Sequence, residues 1–250
     1  MPAPIALQLY SVREQLAEDY TGVITKIAEM GYVGVEPAGF PGSTMEEARQ
    51  LYDDLGLQVC SAHMALPVGD GKQKVIDEAG ILDCPRVVSG FGPDQFKTRD
   101  LVKAACGKFN EAAANVAAAG LSFGIHNHWW EFIDLDDGTP VYKVMLDELD
   151  DGVLFELDTY WVQTGGKNAA DVVAELGPRA PLLHIKDGPC DKDQPMTAVG
   201  DGEMDFPAVI GAAAAAEWLI VEIDRCDGDM IEAVARSYGY LIENELAQGK

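Results

Sequence analysis

Short, almost wholly apolar runs recur along the chain, each followed by a longer amphipathic stretch. They are IALQLYS (5–11), YVGVEPA (32–38), LQVCSAH (57–63), RVVSGFG (86–92), LSFGIHN (121–127), VLFELDT (153–159), PLLHIKD (181–187) and WLIVEID (218–224). About eight such runs, spaced by roughly 25–35 residues, have the rhythm of β-strand–α-helix units. Near-continuous apolarity is what parallel strands buried on both faces require.

The intervening stretches carry helix signals. TMEEARQLYDDL (44–55) opens with a Thr that has Glu three positions on, a capping box, and stops before Gly56. Residues 98–119 run from a Thr cap to Gly120, and DFPAVIGAAAAA (205–216) places a Pro near its first turn. Residues 229–246 read as a closing helix, and Gly31, Gly56 and Gly120 read as helix ends. Eight alternations in 250 residues predict a single α/β domain over 1–250, a (β/α)8 TIM barrel. A doubly wound open sheet would want a glycine-rich loop after the first strand, and LYSVREQLAED has no glycine.

Composition narrows the function. The chain has 42 acidic and 18 basic residues, a formal charge of −24, which repels nucleic-acid phosphates. No apolar run approaches the roughly 20 residues of a membrane helix. The N-terminus MPAPIALQLYSVRE has no basic segment ahead of an apolar one, so a cytoplasmic protein without a signal peptide is expected. Five scattered cysteines, none in C-x-x-C, read as reduced thiols.

In a barrel the C-terminal strand ends form the active site. The polar residues there are Gln8 and Ser11, Glu36, His63, His126, Asn127 and His128 with Glu131 beyond, Glu156 and Asp158, His184, Lys186 and Asp187, and Glu222 and Asp224. All four histidines of the chain fall at these ends. Strand residues two apart share a face, so His126 and His128 both point inward, as do Glu156 with Asp158, His184 with Lys186, and Glu222 with Asp224. Converging carboxylates and imidazoles are costly unless neutralised. Either a divalent cation or an ion-pair network on Lys186 would serve, and mixed N/O ligation suits Mn, Co, Zn or Mg. GDGEMD (200–205) follows no strand and reads as a loop over the site. Of Trp129 and Trp130, one is expected to wall the pocket and the other to pack.

LQLYSVRE, GVE at 34–36, HNHWWEF at 126–132, ELDTYW at 156–161, LLHIKDG at 182–188 and VEID at 221–224 together resemble the xylose isomerase-like TIM-barrel superfamily, often labelled sugar phosphate isomerase/epimerase. The resemblance spans nearly the whole chain. It implies one divalent metal held by a carboxylate after strand five, an aspartate after six, a histidine after seven and a glutamate after eight. Asp158, His184 and Glu222 match. At strand five this chain has His126 where many relatives carry Glu; either His126 takes that place or Glu131 reaches back, and Glu131 is the expected ligand. Glu222 then doubles as a base. His63, His128 and Lys186 orient substrate oxygens or act as acid, and Glu36, His126 and Trp161 contact the sugar.

The expected function is thus a metal-dependent isomerase or epimerase of a ketose or keto-sugar, acting through an enediolate. The alternative is a lyase or dehydratase on a 3-keto-glycoside or keto-inositol at the same site, with a non-catalytic sugar-binding barrel behind both. A DNA-repair endonuclease of the superfamily would need more metal ligands and a basic face. The expected partner is a small carbohydrate, with no nucleic acid and no membrane; a homodimer is one option for the assembly. Apart from the histidines, Lys186 is the one basic residue at the strand ends, so nothing advertises a phosphate site.

Overall fold

The computed structural model describes residues 2–250. Nine parallel strands form one sheet: β1 (Ile5–Gln8), β2 (Gly34–Glu36), β3 (Gln58–Val59), β4 (Ala62–His63), β5 (Arg86–Ser89), β6 (Ser122–His126), β7 (Val153–Asp158), β8 (Leu182–Ile185) and β9 (Trp218–Val221). β1 pairs with both β2 and β9, so the sheet curls into a barrel. β3 pairs with β2 and β4 pairs with β5. These two segments are the halves of the predicted third run, parted at Cys60 and Ser61. The barrel therefore has eight staves, as the apolar rhythm predicts.

The helices are α1 (Arg13–Glu18), α2 (Tyr20–Met30), α3 (Met45–Leu55), α4 (Lys72–Ile81), α5 (Arg99–Ala117), α6 (Val141–Glu148), α7 (Thr159–Thr164), α8 (Ala169–Leu176), α9 (Phe206–Ala212) and α10 (Met230–Glu243). None of the described helices is long and apolar enough to cross a membrane. The capping box at Thr44 and Glu47 is present in both directions, and such a cap stabilises a helix by about 1 kcal/mol. Gly56 ends α3 at φ 65°, a left-handed conformation that glycine adopts without strain. α9 is shorter than its alanine-rich sequence predicts. Ala213 leaves the helical region at ψ 49°, because the chain must turn into β9. Propensity yields there to the tertiary connection.

Two apolar layers result. The larger lies between sheet and helices and includes Ile5, Leu7, Val35, Ile125, Leu157 and Ile185. The smaller fills the barrel itself: Ala6, Cys60, Val88, Leu182, Trp218 and Ile220. Gly34 belongs to this inner layer for a steric reason, since a Cβ there would stand 2.6 Å from the Trp218 ring. The apolar plug fills the lower half of the barrel and leaves the C-terminal half to polar side chains.

Candidate active site

Stepping two residues along each strand from that plug reaches the polar layer: Ala6 to Gln8, Gly34 to Glu36, Leu182 to His184, Ile220 to Glu222. The register sets Gln8 beside Glu36, His126 beside Glu156, and Asp158 beside His184. Four of the carboxylates gathered there, Glu36, Glu156, Asp158 and Glu222, are at most 4% exposed.

The lower tier is built on two glutamates. Glu36 Oε1 accepts from Gln8 Nε2 at 2.6 Å and faces His184 Nε2 at 2.8 Å, while its other oxygen takes the Ser61 hydroxyl. Glu156 Oε2 is met by His63 Nε2 at 2.6 Å, His126 Nδ1 at 3.1 Å and His184 Nε2 at 3.1 Å. Glu156 Oε1 has no hydrogen-bond partner.

The upper tier is built on Lys186, which is 1% exposed. Its ammonium lies 2.8 Å from Glu222 Oε2, 2.9 Å from Asp158 Oδ2 and 3.1 Å from each Asp224 oxygen. His184 joins the tiers, because its Nδ1 is 2.7 Å from Glu222 Oε2. Asp158 Oδ1 caps α7 by accepting from the Trp161 amide. Its Oδ2 meets only the ammonium, off the hydrogen-bonding direction.

These surroundings set the protonation states. Burial opposes charge on His63, but Glu156 and Glu36 outweigh it and hold its pKa at about 9. Burial keeps His126 and His128 neutral, with pKa values of about 3 and about 2. Burial, helped by the charge of Glu156, lifts Glu36 to about 7. Burial lifts Asp158 to about 6, with Lys186 pulling the other way. Burial also acts against an ionised Glu222, but Lys186 and His184 prevail and keep it well below the usual carboxylate range.

Above the tiers opens a cavity of about 540 Å³. His63, His126, His128, Lys186, Glu222 and Asp224 form its polar floor, and Tyr10, Phe91 and Trp130 its aromatic wall. Trp130 is thus the wall tryptophan, stacked on His128 at 4.1 Å; Trp129 packs edge-on against it. Glu36 lies beneath this surface, buried behind His184. Trp161 stands behind the lysine, its ring 5.5 Å from the Lys186 ammonium. Glu131 is buried with one oxygen accepting from the His128 amide. The 200–205 loop does not lie over the cavity. It wraps the buried Asp187, whose carboxylate accepts from the amides of Gly188, Gly200, Gly202 and Met204.

Two groups of side chains bring ligand atoms within 4.8 Å of one another: His126, Asp158, His184 and Glu222, and His63, His126, Glu156 and His184. His126 stands in both and Glu131 in neither. Residues 24–242 match the xylose isomerase-like TIM barrel family. The chain belongs to that family. No curated protein sequence matches it significantly. Among solved structures, a sugar phosphate isomerase/epimerase of Parabacteroides distasonis superposes with a TM-score of 0.83 at 25% identity, covering 99% of this chain and 96% of its own. A probable 3-DHS dehydratase of Bacillus anthracis gives 0.77 at 13% identity, covering 96% and 98%. The IOLI protein, solved with a bound zinc atom, gives 0.73 at 12% identity, covering 98% of each chain. The last two share the fold.

Glu156, Gln8 and Ser61 are structural members of the site to which strand position alone gave no role. Glu156 stands two residues before Asp158 on one strand face, the pattern by which the sequence pointed it inward without giving it a role.

Proposed function

We propose that this family member is a divalent-metal-dependent isomerase or epimerase acting on a ketose or keto-sugar. The observation that carries the reading is the first ligand group: two imidazoles and two carboxylates, all buried, at the C-terminal end of a barrel. Charge supports it, since five carboxylates outnumber the three groups held cationic among them, Lys186, His63 and His184, while His126 and His128 are neutral. The donor set fits a divalent ion. Asp158 Oδ2 lacks a hydrogen bond, and His184 presents Nδ1 to the group while Glu36 holds its Nε2, the usual carboxylate support of a ligating histidine. His126, Asp158, His184 and Glu222 would hold the ion, with His126 in the place the sequence reading gave to Glu131. The bound ion would polarise a carbonyl and its neighbouring hydroxyl.

The chain's own residues supply the rest. Lys186, charged and facing the cavity, donates to a substrate oxygen and steadies negative charge on it. As its ammonium turns to that oxygen, Glu222 loses part of the interaction that depresses its pKa and becomes a stronger base towards an adjacent C–H. Neutral His128, on the cavity floor, orients a hydroxyl. His63, charged near neutral pH and on the cavity floor, returns the proton.

The same charged His63 supports a second reading, elimination from a keto-sugar, in which it protonates the departing β-oxygen. Proton NMR in D2O with Mn²⁺, on ketoses, 3-keto-glycosides and inosose, separates the two. Solvent deuterium in an isomeric product supports isomerisation; an unsaturated or glycone-free product supports elimination. Absence of both exchange and turnover across the panel contradicts the catalytic reading.

A further inference from the structure

The cavity is chemically divided. The titratable groups of its floor end strands or follow them within three residues, and its aromatic wall comes from the segments that follow β1, β5 and β6. The catalytic groups need only the floor. At about 540 Å³, the cavity has room for about eighteen water-sized groups, more than one sugar ring fills.

The wall is fixed in place. Tyr10 is 43% exposed. It is nonetheless held: Gln8 Oε1 accepts from its amide at 3.0 Å, and the Arg13 guanidinium lies 4.0 Å from its ring centroid. Arg13 in turn donates to the Tyr10 carbonyl at 2.7 Å and to the Asp224 carbonyl at 3.2 Å. Phe91 is backed by Phe109 at 4.8 Å. Trp130 is backed by His128. Rigid rings present apolar faces without an ordering cost on binding, and the C–H face of a pyranose or an aromatic aglycone covers such faces well.

Charge disfavours the obvious alternative, a phosphorylated ligand. Lys186 is the one lysine or arginine on the lining, and three carboxylates already surround it. A phosphate dianion would meet Glu222 and Asp224, and the one other cation on the lining, His63, is already held by Glu156 at 2.6 Å.

We propose that Tyr10, Phe91 and Trp130 form a subsite for the second ring of an uncharged, unphosphorylated glycoside, whose reacting sugar lies on the polar floor. The assignment rests on the proposed function for the identity of the floor as the reaction site. It makes Tyr10 and Phe91 specificity-determining residues for a ligand larger than a monosaccharide.

Saturation-transfer NMR and calorimetry on the Mn²⁺-loaded full chain, with glucose, glucose 6-phosphate, cellobiose and p-nitrophenyl β-glucoside as probes, test it. Both two-ring probes are expected to bind at least about tenfold more tightly than glucose, and glucose 6-phosphate no more tightly than glucose. Tyr10→Ala and Phe91→Ala each bring the ratio of two-ring to one-ring affinity towards one, whereas Tyr10→Phe keeps it. Equal affinities, tightest binding of the phosphate, or no binding of either two-ring probe overturns the assignment. Metal binding and deuterium exchange without ring preference sink the subsite alone. Tyr10-dependent two-ring binding in a protein that takes up no metal sinks the catalytic reading and leaves the subsite standing.

Discussion

Glu36 and His184, 148 positions apart in sequence, face each other across the barrel interior with Oε1 2.8 Å from Nε2. Both are fully buried; Gln8 donates to the same glutamate oxygen and Ser61 to the other. Glu36 thereby sets which His184 nitrogen faces Glu222. Glu36→Gln removes the charge that orients the ring and is expected to weaken divalent-ion binding by about 10–100-fold. Chelator competition on the folded variant measures this, and unchanged affinity would show that Glu36 does not support the ligand.

Lys186 occupies the same carboxylate oxygens that a metal would use. Lys186→Met leaves Asp158, Glu222 and Asp224 without their ammonium, so the chelator-treated variant should lose about 3–5 kcal/mol of stability. It should also bind Mn²⁺ more tightly than the parent, and recover most of that loss on adding it. Urea melts with and without Mn²⁺ give both quantities. Equal metal affinity in parent and variant would mean that lysine and ion do not compete.

The His63 pKa, lifted from 6.5 to about 9, carries a signed consequence. The folded state binds the proton more tightly than the unfolded chain, so this stabilisation is full below pH 6.5 and is lost as pH rises through about 9. Metal-free protein should lose stability across that window. His63→Asn should flatten the decline, and a parent curve equally flat would remove the charge from His63.

Asp187 organises the long β8–α9 connection. Its carboxylate, 0% exposed, takes four backbone amides. Asp187→Ala strands those donors and should cost about 2–4 kcal/mol in equilibrium unfolding. Gly202→Ala should act in the same direction, because a Cβ there would stand 2.2 Å from Asp187 Oδ1. A loss below about 0.5 kcal/mol for Asp187→Ala would mark it as an ordinary surface-loop residue.

The barrel was legible because buried parallel strands leave an unbroken apolar signature, and even the divided third strand kept it. The inward set His126, Asp158, His184 and Glu222 was legible because side chains two apart share a strand face. Two things were hidden. Glu131 is three residues past His128 in the chain, and only the local turn, where its carboxylate caps the His128 amide, leaves it outside the ligand group. Tyr10 and Phe91 fall within the apolar runs 5–11 and 86–92 but lie past the ends of β1 and β5, so nothing in the sequence announces that they share one cavity. Glu156 was visible as a strand-end carboxylate, but its three imidazole neighbours come from three other strands.

The central claim is that Asp158, His184, Glu222 and His126 hold a divalent ion. Metal analysis of the purified protein, beside its Asp158→Ala variant, tests it most directly. The account predicts about one divalent ion per chain in the parent and none in the variant. A parent that holds no metal even after incubation with Mn²⁺, Co²⁺ or Zn²⁺, while turning over a sugar as fast as Asp158→Ala does, would contradict it.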